Sequence, residues 1–303
     1  MKRFVRYQNG NYSVVIDTHT GTKIRENDLD FFKADFPESM DIKITNRCDM
    51  GCPQCHENST KDGLHGDIMS EGFIDKLHPY TELAIGGGNP LEHPDLVPFL
   101  EKCQRLNLIP SMTVNQFHFM RNKDFLKDLV DQRLIYGLGI SLTHVTEEFV
   151  EAVKEFPNAV IHVINGIVHP TQLESIANNG FKILILGYKE FRRGEVMYQH
   201  QSAAIEQLKQ MLYDRLPRII NEGWFEVVSF DNLAIKQLDA RRLMSEEDWS
   251  QFYMGDDGQD GNMTSASMYV DMVNREFAKS STSTERYPLE DDIVTMFAKI
   301  RTN

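Results

Sequence analysis

The chain has 303 residues, of which 41% are hydrophobic and 25% charged, with a formal net charge of −13. That length can bury a large core, as one big domain or one domain with appendages. The acidic balance argues against a broad phosphate-binding surface, since nucleic-acid binders carry a basic footprint, and no apolar run approaches the roughly 20 residues of a membrane-spanning helix.

The amino terminus, MKRFVRYQNG, lacks the apolar core of a secretory signal. FVRYQ and YSVVIDT flank Asn9-Gly10-Asn11, a strong hairpin signal, and THTGTKIRE follows. Residues 1–38 therefore read as an N-terminal β-hairpin appendage that caps one end of the core.

From residue 39 to about 230 the pattern alternates. SMDIKIT, ELAIG, LIPSMTV, LIYGLGISL, AVIHVI and FKILILG read as strands, their apolar runs marking buried parallel strands. Between and after them, apolar residues recur at spacings of three and four, as in Leu96, Phe99, Leu100, Cys103 and Leu106. Ser70 is placed to cap a helix carrying Phe73, Ile74 and Leu77; another carries Phe125, Leu126, Leu129 and Val130, and the last Ile205, Leu208, Leu212 and Leu216. A closed eight-unit barrel takes about 250 residues, so six βα units should take about 190, and the segment fits. The fold class expected is α/β, a partial (β/α)6 TIM-like barrel with right-handed crossovers. WFEVVSF could add one more strand. Residues 231–303 form a C-terminal α+β extension, with MGDDGQDGN (Asp256, Asp257 and Asp260 in a solvated loop), a hairpin turning at Asn274-Arg275, and a helix carrying Ile293, Met296, Phe297 and Ile300.

In parallel βα folds, ligands bind at the carboxyl ends of the strands. The first strand is followed by RCDMGCPQCHENS, with Cys48, Cys52 and Cys55 spaced C-x3-C-x2-C and His56 next. Gly86 to Pro90 end the second strand, Asn115 and Gln116 the third, Ser141, Thr143 and His144 the fourth, Asn165 the fifth, and Tyr188, Lys189, Arg192 and Arg193 follow the sixth. Four cysteines, three of them clustered, do not make a disulfide framework, and a reducing cytoplasm is the expected location. The thiols could hold zinc with a histidine such as His56 as fourth ligand, but no second zinc-finger ligand pair is present. Cys52-Pro-Gln-Cys55-His56 matches a haem attachment string, and Cys52 with Cys55 resembles a redox dithiol; both leave Cys48 idle. Three thiolates on a [4Fe–4S] cluster would leave one iron open for chemistry. Spacing alone leaves these four open.

With the strand order added, the loop resembles the signature of the radical SAM superfamily. The resemblance implies that Cys48, Cys52 and Cys55 bind a [4Fe–4S] cluster whose open iron is chelated by S-adenosylmethionine (SAM). It implies reductive cleavage to a 5′-deoxyadenosyl radical that abstracts a substrate hydrogen, with electrons from a partner such as flavodoxin or ferredoxin. Gly87-Gly88-Asn89-Pro90 is similar to the family's G-G-E-P motif with Asn for Glu, and implies glycine carbonyls close to the SAM amino group. Asn115 in MTVNQ, Ser141, and VINGIV resemble further SAM-contacting positions. Gln54 stands where the family commonly has an aromatic residue near adenine.

The remaining polar residues divide between function and structure. Cys103 sits on an apolar helix stripe and reads as a buried structural thiol. No cysteine follows it, which excludes an auxiliary cluster and makes the tail a cysteine-free, SPASM-like extension, here expected to act as a lid over the open side of the barrel. Arg192 and Arg193 suit the SAM carboxylate or a substrate anion, or are solvated charges. His118 and His144 read as satisfied polar residues rather than acid–base groups. The substrate expected is a peptide or protein, recruited by β edges of the appendages. The alternatives are a small metabolite or nucleotide, favoured by a basic pocket under Lys189, Arg192 and Arg193, and a non-catalytic Fe–S sensor. No membrane or nucleic-acid partner is expected.

Overall fold

The computed structural model describes residues 3–29, 32–70, 72–252 and 266–301, so MGDDGQDGN lies outside the described residues. The amino-terminal segment is a three-stranded antiparallel sheet, β1 (Phe4–Asn9), β2 (Tyr12–Asp17) and β3 (Lys23–Glu26). The expected hairpin gains a strand because THTGT makes a second tight turn, with Asp17 N–H donating to Thr22 O at 2.9 Å. Every second residue of β2 is buried, Tyr12, Val14 and Ile16. Glu38, just before the main sheet, accepts from the Tyr12 hydroxyl at 2.5 Å and from Arg25 at 3.1 and 2.8 Å. Lys23 reaches Glu82 at 2.7 Å, which ties this sheet to a residue that opens the second strand of the main sheet.

The main sheet holds β4 (Ser39–Thr45), β5 (Glu82–Gly87), β6 (Ile109–Asn115), β7 (Gly137–Ser141), β8 (Ala159–Ile164), β9 (Lys182–Leu186) and β10 (Val227–Phe230), parallel and in chain order. At the other edge β11 (Ser267–Asp271) pairs parallel with β4, Met268 opposite Met40 and Val270 opposite Ile42. Antiparallel β12 (Glu276–Ala278) and β13 (Tyr287–Pro288) complete it. The helices are α1 (Leu96–Arg105), α2 (Gln116–Arg121), α3 (Lys123–Asp131), α4 (Glu147–Lys154), α5 (Pro170–Ile176), α6 (Arg193–Asn221), α7 (Asn232–Leu238), α8 (Glu246–Phe252) and α9 (Ile293–Arg301). This is a mixed α/β fold on a large, mostly parallel sheet, consistent with a partial TIM barrel. No helix among the described residues is long and apolar enough to cross a membrane.

One face of the sheet builds the core. Met40, Ile42, Ile44, Leu83, Ile85, Met112, Val114, Ile161 and Val163 are buried against helix residues such as Phe99, Leu100, Leu129 and Phe149. Across β4 to β7 the other face is small and polar, with Asp41, Lys43 and Thr45 on β4, Ala84 and Gly86 on β5, Ser111 and Thr113 on β6 and Ser141 on β7, while on β8 and β9 it carries Val160, Ile164, Leu184 and Leu186 around His162. The strands therefore alternate, where a parallel sheet packed on both faces would be apolar throughout. The sheet also curves: Asp41 on β4 lies within electrostatic reach of Asp231, just past β10 at the far edge.

Two helix expectations differ locally. The segment around Phe73 and Ile74 makes only a 3-10 turn, Gly72–Lys76, because His78-Pro79 follows at once and the residue before proline disfavours helix. The Ser70 hydroxyl bonds Asp67 and not a helix end. The stretch after β6 holds two helices, broken at Asn122, whose side chain donates back to His118 O at 2.8 Å. The hairpin expected at Asn274-Arg275 forms, with Arg275 at φ +56°.

Candidate functional site

Beyond Thr45 the chain leaves the sheet and returns along itself. Asn46 N–H donates to Leu64 O at 2.8 Å, Cys48 N–H to Thr60 O at 2.8 Å, Thr60 N–H to Asn46 O at 3.0 Å, and Gly66 N–H to Ile44 O at 2.8 Å. At the tip, Cys55 N–H turns to Cys52 O at 3.2 Å and Asn58 N–H to Cys55 O at 3.3 Å. These bonds present three half-buried thiols, none in a disulfide. Burial pushes the Cys48 and Cys52 thiols up, and the neighbouring thiols add to the effect.

Among the described residues, Cys48, Asp49 and His118 bring a donor atom each within 4.8 Å of one another. His56 Nε2 is engaged by Glu57 at 3.3 Å and Lys189 at 3.2 Å. Asp49 and His118 bond each other directly at 2.6 Å, with Arg121 on the second Asp49 oxygen at 3.2 Å. The His118 hydrogen bond holds the Asp49 carboxyl below its usual range. This ion pair clamps the Cys48 side of the loop to α2, and His118 is the satisfied polar residue the sequence suggested.

A second set of contacts clamps the other side. Glu57 is 6% exposed and is met by Lys43 at 3.1 Å, by the Tyr269 hydroxyl at 3.2 Å and by Arg192 at 3.7 Å. Burial would raise its carboxyl, but His56 and Lys43 outweigh burial and hold it far below the usual carboxylate range. Lys43, itself 2% exposed, also pairs with Asp271 at 3.2 Å. Arg192 donates to Glu57 O at 3.0 Å and Arg193 to Ser59 O at 2.6 Å. Lys189 donates to Ser281 Oγ at 3.0 Å. Both arginines thus bind the cysteine loop's own backbone, so the choice between cofactor anion and solvated charge meets a third answer.

The glycine motif sits beside the loop. Gly87 has φ +108°, and a Cβ there would lie 2.4 Å from Thr45 O, at the root of the cysteine loop. A Cβ on Gly88 would lie 2.2 Å from Arg47 O. The first demand for glycine here is the packing of β5 onto the end of β4, before any ligand is considered. Asn89 is buried, donates its N–H to Arg47 O at 2.7 Å and caps the 3-10 turn Pro90–Glu92 through Leu91 N at 3.3 Å.

Asn115 caps α2 through Phe117 N at 2.9 Å and lies opposite Ser141 in the sheet register. The cysteine loop, Gly87–Pro90, Asn115 and Ser141 therefore follow four adjacent strands at one rim. Gln116 joins β6 to β7, accepting from Thr143 N at 2.8 Å and His144 N at 3.0 Å. His144 is exposed, its ring 5.3 Å from that of Phe117. Cys103 is fully buried on α1 and its thiol is pushed up to about 12 by burial.

Under this rim lies a trough. Asp41 and His162 are surrounded by protein, yet the Asp41 side chain is exposed and His162 is half-exposed. That combination marks the wall of an open concavity. Its floor is made by short residues: Ala84, Ser111 and Gly137 stand in register beside Asp41. A Cβ on Gly139 would lie 2.5 Å from the His162 ring, so the glycine makes the ring's place. Burial lowers the His162 imidazole to about 4. Sequence reasoning missed Asp41, Lys43, Glu57, His162, Tyr269 and Asp271. The signal for two of them was present, since Asp41, Lys43 and Thr45 are polar at every second position of SMDIKIT.

No protein-family model matches the chain. Over 100 residues, 31% of this chain, it is 26% identical to 7,8-dihydro-6-hydroxymethylpterin dimethyltransferase of Methanocaldococcus jannaschii, covering 20% of that protein. Over 81 residues, 25% of this chain, it is 27% identical to PqqA peptide cyclase of Gluconobacter oxydans, covering 23% of it. The matched stretches thus span about a fifth of the length of these curated relatives. Streptococcus suis SuiB bound to its precursor peptide SuiA superposes with a TM-score of 0.62 at 13% identity, over 97% of this chain and 87% of that one. SuiB bound to S-adenosylmethionine gives 0.58 at 12% identity, over 91% and 81%. At that identity the likeness is one of fold. Together the shared fold and the two curated matches support a member of the radical SAM superfamily.

Proposed function

We propose that this radical SAM superfamily member is an enzyme that modifies a peptide or protein through hydrogen abstraction. Cys48, Cys52 and Cys55 would hold a [4Fe–4S] cluster, and Gly87, Gly88, Asn89, Pro90, Asn115 and Ser141 would line the SAM position. With SAM bound, such a cluster supplies a 5′-deoxyadenosyl radical that takes a hydrogen from substrate. The observation that carries this reading is the cysteine loop itself. It presents three half-buried thiols just past the first strand of the main sheet, with the fourth cysteine buried elsewhere, on α1.

The chain's own residues do the positioning. The Asp49–His118–Arg121 clamp and the Glu57 network fix the two sides of the loop. Asn115 and Gln116 fix the ends of β6 and β7 beside it. The trough under the rim is polar and walled by the sheet, a place where water can be displaced before a reactive species forms. Residues 39–230, read as six βα units, form the catalytic barrel, residues 1–38 and 231–303 its appendages. A reducing cytoplasm and a flavodoxin or ferredoxin as electron donor suit the cluster.

The peptide reading is supported by the fold match over nearly the whole chain to SuiB with its precursor peptide, and by the local match to a peptide cyclase. A small-metabolite substrate is the second reading, favoured by the match to a pterin dimethyltransferase. The test is to incubate reconstituted protein, SAM and dithionite with extract of its own cells. Production of 5′-deoxyadenosine with a mass change in a peptide supports the first reading, and a mass change confined to small molecules supports the second. Absence of 5′-deoxyadenosine under all conditions sinks both and leaves a sensor.

A further inference from the structure

We propose that Asp41 is the specificity-determining residue of the trough and pairs with a cationic group of the substrate, an ammonium or a guanidinium. This rests on reading the trough as the substrate chamber. Asp41 lies on β4, the strand that carries the cysteine loop, and its side chain is exposed although the strand is central in the sheet. On the β5 side Ala84, Ser111 and Gly137 are too short to cover it, and Ala84 is exposed in its turn, while Tyr269 of β11 flanks the other side and turns its hydroxyl to Glu57. Among the described residues Asp41 has no hydrogen-bond or ion-pair partner.

Lys189, Glu57 and Asp231 are the charged groups that act on it, and they and the cations around Glu57 are already committed. Lys43 is held between Glu57 and Asp271, and Lys189 between His56 and Ser281. Arg192 is turned to the cysteine loop. Asp231 accepts from Gly187 N at 2.9 Å and Ala234 N at 2.7 Å. Asp41 is thus a carboxylate on the trough wall whose neighbouring cation, Lys189, is spent on His56 and Ser281, which leaves it open to a cation from outside. Burial raises the Asp41 carboxyl and the charge of Lys189 opposes the rise, the direction in which a second cation would act further.

The test uses reconstituted protein and three probes of one size: n-butylammonium, n-butylguanidinium and n-butanol. Binding is read by ligand-observed NMR on the wild type, Asp41→Asn and Asp41→Glu. The two cations should bind the wild type about tenfold more tightly than the alcohol, the scale of one charge-assisted hydrogen bond. Asp41→Asn should erase that preference and Asp41→Glu retain most of it. An unchanged preference in Asp41→Asn, or no preference in the wild type, overturns the proposal. Wild-type 5′-deoxyadenosine formation is measured separately. Its absence would sink the enzyme reading, while the cation preference would still judge Asp41.

Discussion

Glu57 follows His56 in a string that invites attention to the cysteines, yet its carboxylate gathers contacts from four separate stretches of chain. Lys43 comes from β4, His56 from the loop, Arg192 from the segment after β9, and Tyr269 from β11. Removing one partner of such a buried cluster leaves an uncompensated charge, which costs about 3–5 kcal/mol. Glu57→Leu should therefore lower thermal stability markedly and reduce iron uptake on anaerobic reconstitution, although Glu57 is not itself a thiol ligand. Cys52→Ala should lose most of the iron and Cys103→Ala should keep it, read by iron and sulfide analysis against about four of each in the parent. Equal loss from Cys103→Ala would make the buried thiol a ligand and the loop assignment wrong. Gly87→Val sharpens the same question. Its Cβ would meet Thr45 O, so both stability and iron content should fall, beyond any loss of SAM cleavage. A variant with full iron and normal stability would show that β5 can move aside and that the glycine serves only the ligand.

At the scale of elements, the two appendages join the barrel through charged contacts as well as apolar ones. The N-terminal sheet is fixed by Glu38, whose side chain is 1% exposed and paired with Arg25 and Lys23. Burial would raise the Glu38 carboxyl, but Arg25 outweighs burial and lowers it. A lowered folded-state pKa means stability that is present above the usual carboxylate range and is lost as pH falls below it. Glu38→Gln should thus destabilise the protein by about 3 kcal/mol at neutral pH, and the difference should shrink in acid; a difference independent of pH would place the stabilisation elsewhere. The C-terminal extension enters the main sheet. β11 pairs with β4, and Tyr269 and Asp271 hold Glu57 and Lys43. Truncation after Leu243 should therefore lower iron retention as well as uncouple 5′-deoxyadenosine from product. A truncated chain that keeps its cluster and loses only coupling would mean that the extension is a lid alone.

Across the protein as a whole, the features that are local in the chain could be read before any long-range contact was known. Apolar runs marked β4 to β9 and allowed WFEVVSF as the further strand β10, and apolar spacing marked most of the helices, while the parallel pairing of β11 onto β4 was not expected. C-x3-C-x2-C after SMDIKIT located the thiols, and the glycine run and Asn115 were placed at neighbouring strand ends because a parallel βα chain delivers successive loops to one rim. Where elements ended was less legible, as at Ser70 and Asn122, since a proline or one side-chain hydrogen bond is enough to stop a helix. Only the tertiary structure decided which polar residues meet. Lys43, Glu57, Lys189, Tyr269 and Asp271 are far apart in sequence, and each alone reads as a solvated or strand-end residue. They converge because β11 pairs with β4 and the sheet curves until Asp41 feels Asp231 across it. Pairing of distant strands depends on the summed burial of whole faces and not on any short string, so the charged clamp and the trough exist only once the sheet has closed around them.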